Sequence, residues 1–69
     1  MMCLRIYKKD INKKDTDFII VSGFEGSKKT YYISTKQAVK DFYEKNIFMY
    51  EKACYDYKLA KKLLAEMQK

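Results

Sequence analysis

Histidine, proline and tryptophan are absent from this 69-residue chain, and glycine and cysteine occur twice each. The missing histidine excludes the usual His-containing zinc sites and the commonest general base. Cys3 and Cys54 could form at most one bridge, and no CxxC is present, so the cysteines are neither a disulfide framework nor a redox motif. Arginine is nearly missing too, since Arg5 stands alone among fifteen basic residues. Bidentate recognition of phosphate or bases favours Arg, whereas Lys acts as a point charge. No stretch approaches the roughly 20 apolar residues of a membrane span. The first residues lack the apolar run of a signal peptide. These absences point to an intracellular, cytoplasmic protein with reduced thiols and no membrane contact.

The chain does have lysine and tyrosine, with a net charge of +6 and seven tyrosines. The bias towards Lys, Tyr, Ile, Asp and Asn suits an AT-rich genome, such as that of a phage or other mobile element. At this length a single domain, residues 1–69, is expected, with about 60% of its unfolded surface buried. Such a core is marginal and wants a staple. With disulfides and His-containing zinc sites set aside, the expected staple is a partner chain.

Residues 2–8 alternate, with Met2, Leu4 and Ile6 on one side, which predicts a half-buried strand. Lys8 to Asp17 is polar and reads as a loop. Phe18-Ile19-Ile20-Val21 is the strongest strand signal. Two glycines in Gly23-Phe24-Glu25-Gly26 suit a hairpin turn into Lys28-Lys29-Thr30-Tyr31-Tyr32-Ile33. Ser34 with Gln37 matches a capping box, and Thr35 could serve as the cap instead. From there to Gln68 the chain has neither Gly nor Pro and reads as helix.

The expected fold is therefore α+β: a three-stranded antiparallel sheet over residues 2–33, then one long helix over 35–68. A helix of that length would run roughly 51 Å. A seven-residue strand spans about 23 Å, so the sheet would cover only half of it. Val39, Asn46, Ala53, Ala60 and Met67 recur every seven residues like a coiled-coil seam, interrupted by Asn46 and Asp56. The alternative is a break near Lys45-Asn46-Ile47, because Asn tolerates a left-handed cap. The second segment would then fold back as a helical hairpin. Asn46 alone is a weak stop signal, which favours the continuous helix. The sheet face bearing Leu4, Ile6, Phe18, Ile20, Tyr31 and Ile33 is expected to meet Val39, Phe42 and Tyr43. A register shift would present Ile19, Val21 and Tyr32 instead.

Two binding surfaces follow. An overhanging helix would offer Met49, Tyr50, Tyr57, Leu64 and Met67 to a protein partner, and interfaces are enriched in Tyr and Met. The same stripe would serve as ordinary core if the helix breaks. The partner would be a second copy, making a homodimer, or a host protein or nucleoprotein complex. Arg5, Lys8, Lys9, Lys13, Lys14, Lys28 and Lys29 beside Tyr31 are the pattern a nucleic-acid strand would use, charge along the backbone and rings against bases. A solvated basic face that discourages edge-to-edge aggregation explains part of that pattern without a ligand.

The order strand-strand-strand-helix, entered through Tyr32-Ile33-Ser34-Thr35-Lys36-Gln37-Ala38, resembles the three-stranded DNA-reading domains of phage integrases over about half of the chain. The long terminal helix departs from that pattern, and no residue role is carried over. No phosphate loop, metal motif or nucleotide fingerprint occurs, so neither a cofactor nor a small-molecule substrate is expected. Cys54 lacks a basic neighbour to activate it and reads as a small packing residue. The leading expectation is a non-enzymatic phage-type inhibitor that docks on a host nucleic-acid-handling protein. The alternative is a basic dimeric nucleic-acid-binding regulator.

Overall fold

A computed structural model describes residues 3–67. Its strands are β1 (Arg5–Ile6), β2 (Ile19–Glu25), β3 (Lys28–Ser34) and β4 (Lys52–Cys54), and its helices are α1 (Lys36–Lys45) and α2 (Tyr57–Met67). The strands form one antiparallel sheet in the order β1-β2-β3-β4. The α+β class is as expected. The count is not: four strands replace three, and two helices replace one. Met2, in the expected first strand, and Gln68, at the expected helix end, lie outside the described residues.

The β2–β3 hairpin is the longest pairing, from Ile19↔Ser34 to Glu25↔Lys28. Its two-residue loop places Gly26 at φ 62°, a conformation that glycine adopts without a Cβ penalty. Along β2 the side chains alternate between faces, and both faces are apolar. Ile19 and Val21 pair with Ser34 and Tyr32 on one face, and Ile20 pairs with Ile33 on the other. All four of Ile19, Ile20, Val21 and Ile33 are almost fully buried. A sheet with two apolar faces needs two covers.

α1 supplies the first cover. Thr35, with extended φ/ψ, is its cap, and its Oγ1 accepts a bond from the Ala38 N–H at 3.1 Å. Val39 joins Leu4, Ile19, Val21 and Tyr32 in a buried cluster flanked by Ile6, Phe42 and Phe48. This corrects the expected face: Ile19, Val21 and Tyr32 meet α1, while Ile20, Tyr31 and Ile33 lie opposite. Leu4 and Ile6 do stand on the α1 side. Tyr43 is 61% exposed rather than packed on the sheet. Its hydroxyl still reaches β1, donating to the Leu4 carbonyl at 3.0 Å and accepting from the Leu4 N–H at 3.3 Å.

α1 stops at Asn46, which takes the left-handed conformation at φ 60°, ψ 28°. Its N–H closes the last turn onto the Phe42 carbonyl at 2.8 Å. The chain then runs extended, and the Glu51 N–H bonds the Ile33 carbonyl at 2.9 Å. β4 follows on the open edge of β3, with Tyr32 opposite Ala53. The seven-residue seam therefore does not exist as one helix, and the helical hairpin does not form either.

α2 is the second cover. Asp56 begins it, its carboxylate accepting from the Lys58 N–H at 3.2 Å. The helix packs against β2, β3 and β4, with Ala60 completely buried. The physical reason for the break lies in Ile20 and Ile33. A continuous helix would leave them in water, and burying each contributes about 1.5–3 kcal/mol. Among the described residues, no helix is long and apolar enough to cross a membrane. Cys3 is exposed, Cys54 is half-buried, and both are free thiols.

Candidate binding surfaces

The break at Asn46 puts an apolar shelf on the α1 side. Phe48 turns inward, its ring 5.1 Å from that of Tyr32 and 6.1 Å from that of Phe42. Tyr50 lies 4.9 Å from Tyr32 and 5.6 Å from Phe48, which fixes the extended segment onto the sheet. Ser34 also ties it down, its hydroxyl donating to the Met49 carbonyl at 2.6 Å. Between these anchors the remaining side chains face out. Tyr43 and Ile47 are about as exposed as each other, Met49 is 69% exposed and Tyr50 49% exposed. A cleft of about 240 Å³ opens beside Met49 and Tyr50 towards Phe18 and Ala38.

The other surface lies on the α2 side. Tyr7, Tyr31 and Tyr57 meet edge to face, with ring centres 5.4 Å (Tyr7–Tyr57) and 5.7 Å (Tyr31–Tyr57) apart. Lysines cap these rings. Lys9 Nζ donates to the Tyr57 hydroxyl at 2.8 Å and so lies beyond the hydroxyl, 5.5 Å from the ring centre. Lys61 reaches the same ring at 5.9 Å, and Lys29 covers Tyr31 at 5.7 Å. Such contacts contribute roughly 0.5–1 kcal/mol each at exposed sites. By the strand register Arg5, Phe24 and Lys29 share this side with Tyr31, and Phe24 is half exposed.

Burial pushes the Tyr7 phenol up, and the neighbouring Tyr31 adds to the effect. The hydrogen bond to Tyr57 raises Lys9, which stays charged at neutral pH. Asp10 is buried nearby and stands 3.6 Å from Lys13 Nζ.

The expected protein-docking residues do not share a surface. Met49 and Tyr50 are exposed on the shelf, with the Tyr50 ring tilted against Tyr32, while Tyr57 and Leu64 are half-buried against the opposite sheet face. Met67 is half-buried at the end of α2. Of the expected basic set, Lys9, Lys29 and Tyr31 come together around the tyrosine trio. Arg5 lies on the same face, and Lys13 pairs with Asp10. Lys28 instead covers Tyr55 at 5.5 Å. Lys8 and Lys14 are simply exposed in the β1–β2 connection.

Sequence reasoning missed Tyr7 and Lys61. The one-turn spacing of Tyr57 and Lys61 was a usable signal for a shared helix face. It could not place that face beside Lys9. Among the described residues, no group of three His, Cys, Asp or Glu side chains could hold a metal ion. Comparison with protein-family models, curated proteins and solved structures finds no match to this chain.

Proposed function

We propose that this chain is a non-enzymatic binding protein of phage or mobile-element type that docks on a host nucleic-acid-handling protein. The working surface in this reading is the shelf from Tyr43 to Tyr50, in place of a long terminal helix. The observation that carries it is four large apolar side chains, Tyr43, Ile47, Met49 and Tyr50, left open to water within eight residues. Exposed apolar patches on small proteins mark interaction sites, and Tyr and Met are favoured interface residues. The compositional bias and small size support the mobile-element part of the reading. A net positive charge suits contact with a nucleic-acid-handling complex better than mimicry of an anionic strand would.

The test is affinity capture from host lysate with the wild type and with an Ile47→Glu/Met49→Glu variant. Both positions are exposed, so the variant should keep its thermal midpoint while losing the captured host protein. A variant that captures the same protein equally well refutes the reading. A second copy of the chain is the competing occupant of the shelf. Sedimentation of the wild type should then give a dimer mass that the variant lacks.

A second reading rests on the convergence of Lys9, Lys29 and Lys61 around the tyrosine trio. Those groups suit a single nucleic-acid strand, as in the alternative of a basic regulator. Under it, affinity for single-stranded DNA or RNA falls steeply between about 50 and 200 mM salt. No binding at the lower salt leaves the lysines as a solvated face.

A further inference from the structure

The β1–β2 connection and α2 enclose a second cleft, of about 290 Å³, lined by Lys9, Asp10, Lys13, Ile20, Lys61, Leu64 and Ala65. Its size is at the low end for small-ligand sites. Its lining is divided in kind. Leu64 and Ala65, above the nearly buried Ile20, make an apolar floor, and three lysine side chains line it. Two of those lysines, Lys9 and Lys61, also approach Tyr57, Lys9 at its hydroxyl and Lys61 at 5.9 Å from its ring centre. Lys9 is fixed there by its bond to the Tyr57 hydroxyl. Both carry positive charge, and an anion in the cleft would offset it. Asp10 offsets one of the three lysines, the one it pairs with. The remaining pair of positive charges matches the roughly −1.5 to −2 of a phosphate monoester at neutral pH.

We propose that this cleft binds one nucleotide unit, its phosphate held by Lys9 and Lys61 and its base laid on Leu64 and Ala65. A phosphate alone would use the rim and leave the apolar floor wet. An apolar ligand alone would leave the lysines without a counter-charge. A flat ring joined to a phosphate satisfies both. The unit is either a free nucleotide or one residue of a single strand, and the chemistry is shared. The site is separate from the docking shelf, so its failure leaves the protein-docking reading standing.

The test is titration of the whole chain with adenosine monophosphate, with inorganic phosphate, and with a single-stranded oligonucleotide of about ten residues, near 50 mM salt. Three variants accompany it. Lys61→Glu reverses a rim charge. Ala65→Trp fills the cleft from an exposed helix position. Lys28→Glu makes the same change in net charge away from the cleft. Lys61→Glu and Ala65→Trp should each weaken binding about tenfold or more, the scale of one charge-assisted contact. Lys28→Glu should weaken it less than about threefold. Binding of the mononucleotide assigns a free-nucleotide site, and binding of the oligonucleotide alone assigns a subsite on a strand. The proposal is overturned if neither ligand binds, or if inorganic phosphate binds as tightly as the nucleotide. It is overturned equally if Lys28→Glu weakens binding as much as Lys61→Glu does.

Discussion

Asn46 marks where the second half of the chain turns away from α1, and its replacement tests what holds that turn. At φ 60°, ψ 28° the residue sits where a Cβ crowds the following carbonyl. Asparagine relieves part of that strain through local hydrogen bonds, and alanine cannot. Asn46→Ala should therefore destabilise the fold by about 1 kcal/mol. Asn46→Gly removes the Cβ but loosens the unfolded chain, so it should lie within about 0.5 kcal/mol of the wild type. Asn46→Val adds β-branching and should lose about 2 kcal/mol.

The chain's escape from this strain would be to run α1 straight through position 46. Alanine favours that by at most about 0.7 kcal/mol over asparagine. The escape would strip α2 from Ile20 and Ile33, forfeiting on the order of 3–6 kcal/mol of apolar burial. The break should thus survive in the alanine variant, at a lower melting point. For a domain of this size 1 kcal/mol corresponds to roughly 4–8 °C. The assay is thermal unfolding followed by far-ultraviolet circular dichroism. An alanine variant that melts no earlier and shows more helix would refute the reasoning, because α1 would then have run through position 46 without the cost assigned to uncovering Ile20 and Ile33.

The remaining predictions concern packing and charge. Ala60 is completely buried on the sheet-facing side of α2, so Ala60→Leu should overpack the interface and lower stability by about 1–3 kcal/mol in urea unfolding. Tyr43→Phe removes both hydroxyl bonds to the Leu4 main chain. It should lose roughly 1 kcal/mol, read as faster amide exchange in β1. A Cβ on Gly23 would stand 3.0 Å from Leu4 Cδ2 and 3.3 Å from Tyr32 Cε2, so Gly23→Ala should destabilise by roughly 1–3 kcal/mol. Asp15 is held below its ordinary value of 3.8, chiefly by its hydrogen bond with Lys40 and further by Lys36. Its contribution to stability is present at neutral pH and lost as pH falls through that lowered value. Asp15→Asn should therefore narrow the gap between urea midpoints measured at about pH 5 and about pH 2.5.

The hairpin, its turn and the start of α1 were legible because their signals are local. Ile19-Ile20-Val21, Gly26 and Thr35 each carry their own structural preference. What followed Lys45 was not legible, for reasons that can be named. Asn46 permits a left-handed cap without requiring one. Lys52-Ala53-Cys54 is too short to signal a strand, and only the open edge of β3 makes it one. Tyr57 to Met67 reads as helix either way, and its sequence does not say which sheet face it covers. The deciding information was spread over β2 and β3, whose second apolar face had no other cover. The binding surfaces inherited that uncertainty. Met49 and Tyr50 stood out for their residue type, whereas the cleft joins Lys9 and Lys13 to Lys61 across about fifty positions of sequence.

The order of the sheet has a kinetic consequence. Every strand pairs with its neighbour in sequence, so no pairing waits for a distant part of the chain. Folding rates rise as contacts become more local, and a mixed domain of this kind belongs between the helical bundles and the all-β folds. The β2–β3 hairpin and α1 lie within the first forty-five residues, whereas the cover for Ile20 and Ile33 comes last. A folding chain can therefore close one face of the sheet while the other stays bare until α2 docks. In that interval the bare face is open to a chaperone, and the last eleven helical residues displace it.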